Sequence, residues 1–311
     1  MAQVSMQQVK ELRDRTQAGL NDCKSALSEA EGDMDKAVEV ILKKGLAKSA
    51  KRAGSVAAEG VVATRVAGDR KSAVIVEVNI QTDFAARNED YLTFVTKVVD
   101  VALVAKEGAE LLTLPFPGGD GTVEDHRAAL VGKLGENITV RRWGRVTVEG
   151  EGLVTSYVHL GGKIAVILAV KTDSANTASR IGEFVENCAM QVAAMAPPYL
   201  NSSEIPQADK TAQAAIYAAQ LEEEGKIPAE KRASVVEGKI AKWAKEVCLV
   251  EQPSVIDTKH TIDELRTEAA TAAGGTVEFV RFVRFERGEG IELPTGPDFA
   301  AEVAAMAAAA N

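Results

Sequence analysis

The chain has 311 residues, of which 46% are hydrophobic and 26% are charged, and its formal net charge is −9. A chain of this length can bury a sizeable core and is expected to form two or more modules. The acidic balance argues against a nucleic-acid partner, because phosphate contacts require a basic surface. The sequence shows neither a signal-peptide pattern nor an apolar stretch long enough for a bilayer, so we expect a cytoplasmic protein without a membrane partner.

The first 45 residues predict three short helices. Ser5 and Gln8 form a capping-box pattern at the start of the first helix. The second helix is expected to stop at Gly32, and the third to begin after Asp33 and stop at Gly45. Three helices this short bury little surface, which indicates a small docking module.

Beyond this module the chain repeats itself. The stretch GVVATRVAGDRKSAVIVEV (60–78) aligns with GLVTSYVHLGGKIAVILAV (152–170) at an offset of 92 positions, as in 153 − 61. Both stretches alternate like strands around a turn, and each predicts a β-hairpin. A helical pattern and a further strand-like segment, at 137–148 and 276–285, follow in each copy. The predicted fold class is therefore α+β, with a duplicated core of antiparallel sheets and packed helices.

Phe84 is an aromatic residue in the turn after the first hairpin. Thr82 and Asp83 align with Thr172 and Asp173 at an offset of 90 positions, as in 172 − 82, and Phe84 then aligns with Ser174. The shared scaffold does not require a ring at this position. Packing against the following helix and contact with a molecule outside the core both remain open, and Asn88 is expected to cap that helix.

Two further helical segments are predicted in the rest of the chain. An antiparallel, coiled-coil-like hairpin interrupts the second copy at 203–250, with a tight turn at the sequence GKIP. A terminal helix over 296–310 carries Phe299, Val303 and Met306 as a narrow apolar stripe on an alanine background. Such a stripe packs either on its own core or in a partner's groove.

No recognisable set of reactive residues is present in the sequence. There is no phosphate-binding glycine loop, zinc-protease helix or serine-hydrolase elbow, and the three histidines are scattered. The three cysteines fall within apolar helical patterns, which favours core packing over metal binding. We therefore expect no catalytic residue, no metal and no cofactor, and a binding or regulatory protein is favoured over an enzyme.

A resemblance to one family follows from several motifs in order. TDFAARNEDYLTFV (82–95) resembles the TDFVARN motif of the elongation factor Ts family, the guanine-nucleotide exchange factors of elongation factor Tu. GENITVRR, RFERGEGIE and DFAAEVAAM resemble further parts of that family, and the likeness covers essentially the whole chain. Ala85 departs from the family's usual Val, and Ser254 stands after Gln252 and Pro253 where the family usually has Phe.

The resemblance implies a division of the chain into modules. Residues 1–54 would form a module similar to ubiquitin-associated domains, and 55–150 would form the first core subdomain. Residues 151–292 would form the second core subdomain, with the helical hairpin of 203–250 inserted in it. Residues 293–311 would form a C-terminal helical module.

The resemblance also implies a function and its residues. The chain would bind GDP-bound elongation factor Tu and promote GDP release by inserting a loop that disturbs the partner's magnesium and phosphate site. The loop residues are Thr82, Asp83, Phe84 and Ala85. Further contacts with the partner would come from Leu20, Asn21, Phe299, Val303 and Met306.

Two other functions stay open at this stage. One is a helical adaptor that uses its first module like a ubiquitin-associated domain and has no exchange activity, and the other is an enzyme with an unrecognised site. The oligomeric state also stays open, with a homodimer or a complex of two chains with two partners as the expected alternatives to a single pair.

Overall fold

The computed structural model describes residues 4–16 and 18–292. Within these residues the chain forms helices and two three-stranded sheets, which confirms the α+β class. The predicted terminal helix at 296–310, with Phe299, Val303 and Met306, lies outside the described residues. The elements, in chain order, are α1 (Met6–Thr16), α2 (Leu20–Glu29), α3 (Met34–Arg52), β1 (Glu59–Val66), β2 (Ser72–Ile80), α4 (Glu89–Val104), α5 (Val123–Leu134), β3 (Ile138–Thr147), β4 (Gly152–His159), β5 (Ile164–Thr172), α6 (Ala175–Arg180), α7 (Gly182–Met195), α8 (Gln207–Glu224), α9 (Ala229–Val247), α10 (Ile262–Ala273) and β6 (Val277–Glu286).

The three N-terminal helices are present, and two of their predicted starts are confirmed. The amide of Gln8 donates to Ser5 Oγ at 3.2 Å, and the amide of Ser5 donates to Gln8 Oε1 at 3.0 Å, as a capping box requires. The Asp33 side chain accepts from the amides of Asp35 and Lys36 at the start of α3. Apolar side chains from all three helices form one buried cluster that includes Leu12, Leu27 and Ile41.

The predicted end of the third helix at Gly45 is wrong, because α3 continues to Arg52. Gly45 lies inside the helix, where α3 packs against α5. A Cβ atom at Gly45 would lie 3.1 Å from the backbone nitrogen of Ala129. Here the glycine allows the two helices to approach closely. The sequence around Gly45 does not distinguish this packing role from that of a helix cap.

The strands form two sheets of the same kind, with orders β1-β2-β3 and β4-β5-β6. In the second sheet β4 and β5 pair antiparallel, with Gly152 opposite Lys171 and His159 opposite Ile164. β5 is buried along most of its length, and α7 packs on it through Val185, Cys188 and Val192. The predicted hairpin of the second copy is therefore confirmed.

The internal repeat extends further than the hairpins and loops. Thr122 begins α5 with a capping box, and Thr261 begins α10 with another, at an offset of 139 positions (261 − 122). Arg127 in α5 and Arg266 in α10 each donate to the carbonyl of the first residue of the following strand, at 2.6 and 2.8 Å. The offset grows from 90 to 139, a difference of 49 (139 − 90), because the helical hairpin is inserted in the second copy.

The inserted hairpin is confirmed. α8 ends at Gly225, whose φ of 62° suits a left-handed helix cap, and α9 follows after Pro228. Lys239 on α9 places its Nζ atom 5.2 Å from the ring centroid of Tyr217 on α8. The short turn between α8 and α9 brings the two helices side by side, so that their side chains are in contact.

By its internal contacts the chain divides into two compact units. One comprises the described residues of 1–62, 76–142 and 286–292, and the other comprises 63–75 and 143–285. The finer division into four modules stays a prediction.

Glu77, on β2, is the centre of a charged network in the first unit. Its carboxylate is fully buried and accepts from the guanidinium groups of Arg141, at 3.1 Å, and Arg142, at 2.5 Å. The amide of Gly288 donates to the same carboxylate at 2.7 Å. Burial alone raises the pKa of Glu77, but the hydrogen bonds from Gly288, Asn79 and Arg142 outweigh it, so the pKa is lowered. The network fixes the segment after β6 to this unit.

We expect Glu77→Gln to destabilise the first unit by about 1.5–3 kcal/mol, because it weakens the hydrogen bonds that the buried carboxylate accepts from Arg141, Arg142 and Gly288. The loss should depend on pH. Because the pKa of Glu77 is lower in the folded state than in the unfolded state, its ionised carboxylate stabilises the fold at pH values above the unfolded-state pKa of about 4.3. This contribution is lost as the pH falls through the folded-state pKa. Chemical unfolding followed by circular dichroism should therefore show a smaller difference between the two proteins at about pH 4 than at about pH 7. An equal difference at both pH values would contradict the assignment of charge to Glu77.

Candidate functional site

The loop of residues 81–88 joins the buried strand β2 to helix α4. A short 3-10 turn, Ala85–Arg87, lies within it, and Asn88 begins α4 by accepting from the amides of Asp90 and Tyr91. The predicted cap at Asn88 is thus confirmed. The Tyr91 hydroxyl donates to the carbonyl of Val78 at 2.6 Å, which ties the first turn of α4 to the end of β2. Both ends of the loop are therefore fixed.

Thr82 is held by the carboxylate of Glu136, which lies between α5 and β3. Glu136 accepts from the amide of Thr82 at 3.0 Å and from its hydroxyl at 2.7 Å. The Thr82 hydroxyl oxygen also accepts from the amide of Ala85 at 3.2 Å, and the amide of Ala86 donates to the Thr82 carbonyl at 3.1 Å. These bonds close the loop into a compact turn.

Phe84 lies at the outer side of this turn, and 83% of its surface is exposed. Ala86, two residues further on, is buried and attaches the turn to the core. Asp83 is also exposed, and its carboxylate lies 3.4 Å from the guanidinium group of Arg87. The loop thus presents one aromatic ring and one carboxylate to the surroundings, on a backbone that is bonded at both ends.

The second copy of the repeat uses the equivalent turn differently. Ser174, which aligns with Phe84, caps α6 by accepting from the amide of Thr177. Asp173, which aligns with Asp83, accepts from the Thr177 hydroxyl at 2.8 Å, and that bond together with the amide of Thr276 lowers the pKa of Asp173. The second turn therefore uses its polar side chains to bond within the protein.

The position of Glu136 explains part of this difference. At the offset of 139, Glu136 corresponds to Gly275, and a Cβ atom at Gly275 would lie 2.3 Å from Asp173 Oδ1. A side chain at this position is excluded in the second copy, where the aspartate occupies the space. In the first copy the glutamate reaches Thr82 and the aspartate faces outward.

Glu136 is the residue that the sequence analysis missed. It directly follows Gly135, the left-handed cap of α5. The signal that could have found it is the continued repeat through α5 and α10, which aligns a glutamate with a glycine at a position beside the loop.

The other predicted contact residues lie elsewhere. Leu20 and Asn21 are the first residues of α2; both are exposed, Leu20 by 47%. They belong to a separate element from the loop. Phe299, Val303 and Met306 lie outside the described residues.

Across residues 4–16 and 18–292 no cluster of three or more histidine, cysteine, aspartate or glutamate side chains is arranged to hold a metal ion. In the same part of the chain, no helix has the length and apolar character needed to span a bilayer. The three cysteines are buried and unpaired, as the apolar helical patterns predict.

Comparison with known proteins gives one consistent result. A family model described as elongation factor TS matches residues 81–289. An elongation factor Ts from Nitratiruptor sp. is 46% identical over 304 residues, which cover 97% of this chain and 99% of the relative. The elongation factor Ts of Methylobacterium nodulans is 44% identical over 322 residues, covering 99% of each chain.

The chain belongs to the elongation factor Ts family. It is accordingly a translation elongation factor. An elongation factor Ts from Clostridium botulinum (strain Alaska E43) is also similar, with 44% identity over 303 residues. The match to the family model begins at Gln81, so it includes the loop that presents Phe84.

We expect Glu136→Gln to loosen this loop without unfolding the core. A neutral amide binds the Thr82 amide and hydroxyl more weakly than a carboxylate does, since hydrogen bonds to charged groups are roughly twice as strong. Hydrogen exchange measured by NMR should show faster exchange of the Thr82 and Ala85 amides. Thr82→Ser, which keeps both bonding groups, serves as the control and should exchange like the parent protein. Unchanged protection in Glu136→Gln would show that the glutamate does not hold the loop.

Proposed function

We propose that this chain is a guanine-nucleotide exchange factor that binds GDP-bound elongation factor Tu and accelerates GDP release. It acts by binding and changes no covalent bond. The observation that carries the proposal is the exposure of Phe84 on an internally bonded loop, together with membership of the elongation factor Ts family.

A guanine-nucleotide-binding protein holds its nucleotide through phosphate contacts and a magnesium ion that bridges the phosphates. Phe84 would enter a pocket that opens only when these elements of the partner are displaced. Burying a phenylalanine side chain contributes about 1.5–3 kcal/mol. Because this free energy is gained in only one conformation, it weakens GDP binding by the same amount.

The remaining loop residues would support the ring. Asp83 would make the neighbouring polar contact, because its carboxylate is exposed and bound only weakly within the turn. Thr82 would fix the backbone through its bonds to Glu136 and by accepting from the amide of Ala85. A rigid loop loses little conformational entropy when it binds, so more of the free energy of burying the ring is available to displace the partner's magnesium and phosphate contacts.

Further contacts would come from outside the loop. In the first module, Leu20 and Asn21 are proposed to contact the nucleotide-binding domain of the partner, and Phe299, Val303 and Met306 are proposed as contacts near the C-terminus. In the second core half, Val158 near the end of β4 and Leu160 in the following turn are exposed, Leu160 by 69%. Exposed apolar side chains at a hairpin tip suit a protein interface. The function places the protein in the cytoplasm, where translation takes place.

We expect Phe84→Ala to slow the stimulated release of GDP by about 10- to 100-fold, which corresponds to the burial energy of the ring. Stopped-flow release of a fluorescent GDP from elongation factor Tu measures this rate. Val104→Ala is a matched control, because Val104 is an equally exposed apolar residue, at 85%, at the end of α4. The control should retain the full stimulation. Undiminished stimulation by Phe84→Ala would exclude the ring as the displacing group.

A further inference from the structure

The two core halves contain equivalent clefts of very different size. In the first half, a cleft between α4 and α5 has a volume of only about 30 Å³ and is lined by residues that include Phe94 and Leu130. In the second half, a groove between α7 and α10 has a volume of about 430 Å³ and is lined by residues that include Phe184 and Ala269. Phe184 corresponds to Phe94 at the offset of 90, and Ala269 corresponds to Leu130 at the offset of 139. The clefts therefore occupy the same place in the repeat.

Phe116 fills the cleft of the first half. Its ring is stacked on the ring of His126, with 3.9 Å between the centroids, and lies 5.8 Å from the ring of Phe94. Lys97 places its Nζ atom 5.0 Å from the centroid of the same ring. The first half thus shows how this cleft accepts a single aromatic ring.

Ser254 takes the place of Phe116 in the second half. The amide of Phe116 donates to the carbonyl of Gly121 at 3.0 Å, and the amide of Ser254 donates to the carbonyl of His260 at 2.9 Å. Each residue follows a proline that bridges to the threonine cap of the next helix. The backbone is therefore equivalent at the two positions, and the wider cleft of the second half lacks the phenyl ring that fills the first.

The Ser254 side chain does not extend into the groove as a ring would. Its hydroxyl oxygen accepts from the amides of Ile256, at 3.2 Å, and Asp257, at 3.3 Å. The hydroxyl is therefore used within its own loop, and Ser254 contributes no ring to the groove, which Ile256 and Asp257 of the same loop also line. Leu265, which corresponds to His126 at the offset of 139, forms the opposite wall.

The charges around the groove restrict its ligand. Glu183, Asp257 and Glu268 line it with carboxylates, and Arg180 lines it with one guanidinium group. Asp257 is paired with His260 at 2.8 Å. An excess of carboxylates disfavours a ligand that carries a negative charge.

We propose that the groove between α7 and α10 is a binding site for a small single-ring aromatic molecule without negative charge. The ring would lie where the first half places Phe116, between Phe184 and Leu265. A volume of about 430 Å³ lies within the range of small-molecule sites, about 300–1,000 Å³. Apolar cavities left by the absence of a large side chain bind benzene-like molecules. The proposal is independent of nucleotide exchange.

Fluorine NMR titration of 4-fluorophenol with the full chain tests the site, with 4-fluorobenzoate as the anionic counterpart. We expect saturable binding of 4-fluorophenol and markedly weaker binding of 4-fluorobenzoate. Ser254→Phe restores the ring found in the first half, so it should weaken 4-fluorophenol binding at least about tenfold. Ser254→Ala leaves the groove open and should bind 4-fluorophenol like the parent protein.

A second measurement distinguishes a filled groove from a damaged fold. If the groove accepts a ring, Ser254→Phe should have a higher midpoint of thermal unfolding than Ser254→Ala, because both variants lose the hydroxyl bonds and only the phenylalanine buries additional apolar surface. A midpoint no higher than that of Ser254→Ala would overturn the proposal, and so would an absence of saturable 4-fluorophenol binding or binding that Ser254→Phe leaves intact. Binding of a phenylalanine-containing peptide without binding of 4-fluorophenol would overturn it in favour of a peptide groove.

Discussion

The bond between Glu136 and Thr82 is the interaction on which the candidate site depends. A side chain on a surface turn keeps a defined position when other contacts fix the backbone that carries it. Here the glutamate binds both the amide and the hydroxyl of Thr82, and the hydroxyl in turn accepts from Ala85. With Asn88 capping α4, the turn is bonded within the protein on both sides of Phe84. The exposure of the ring is therefore a property of the fold and not of a loose loop.

The two halves of the core show how duplication separates scaffold from function. Capping threonines and the arginines that bond the following strand are kept at a constant offset, because they determine how α5 and α10 meet their sheets. Positions that the scaffold does not need have diverged. Phe84 in the first copy corresponds to Ser174 in the second, and Phe116 corresponds to Ser254. In each pair one copy has a ring and the other a short hydroxyl that bonds within its own turn.

Most of the fold could be predicted from local signals in the sequence. The capping box at Ser5, the cap at Asn88 and the turn at Gly225 depend on neighbouring residues alone, and the structure confirms all three. Gly45 could not be interpreted in this way, because its role depends on the close approach of Ala129 in α5, which lies 84 positions later (129 − 45). Glu136 was missed for the same reason: the bond to Thr82 joins residues separated by 54 positions. The sequence left open whether Phe84 packs against the following helix, and the exposure of its ring in the structure excludes that packing.

The central claim is that Phe84 couples partner binding to nucleotide release. If Phe84 weakens the binding of GDP to elongation factor Tu, GDP must weaken the binding of this chain to elongation factor Tu by the same factor. Removing the ring should therefore remove much of this mutual effect. The most direct measurement is the affinity of the chain for elongation factor Tu, by isothermal titration calorimetry, without nucleotide and with saturating GDP. The account predicts that GDP weakens binding of the parent protein far more than binding of Phe84→Ala, by a factor of about 10–100. An equal effect of GDP on both proteins would contradict it.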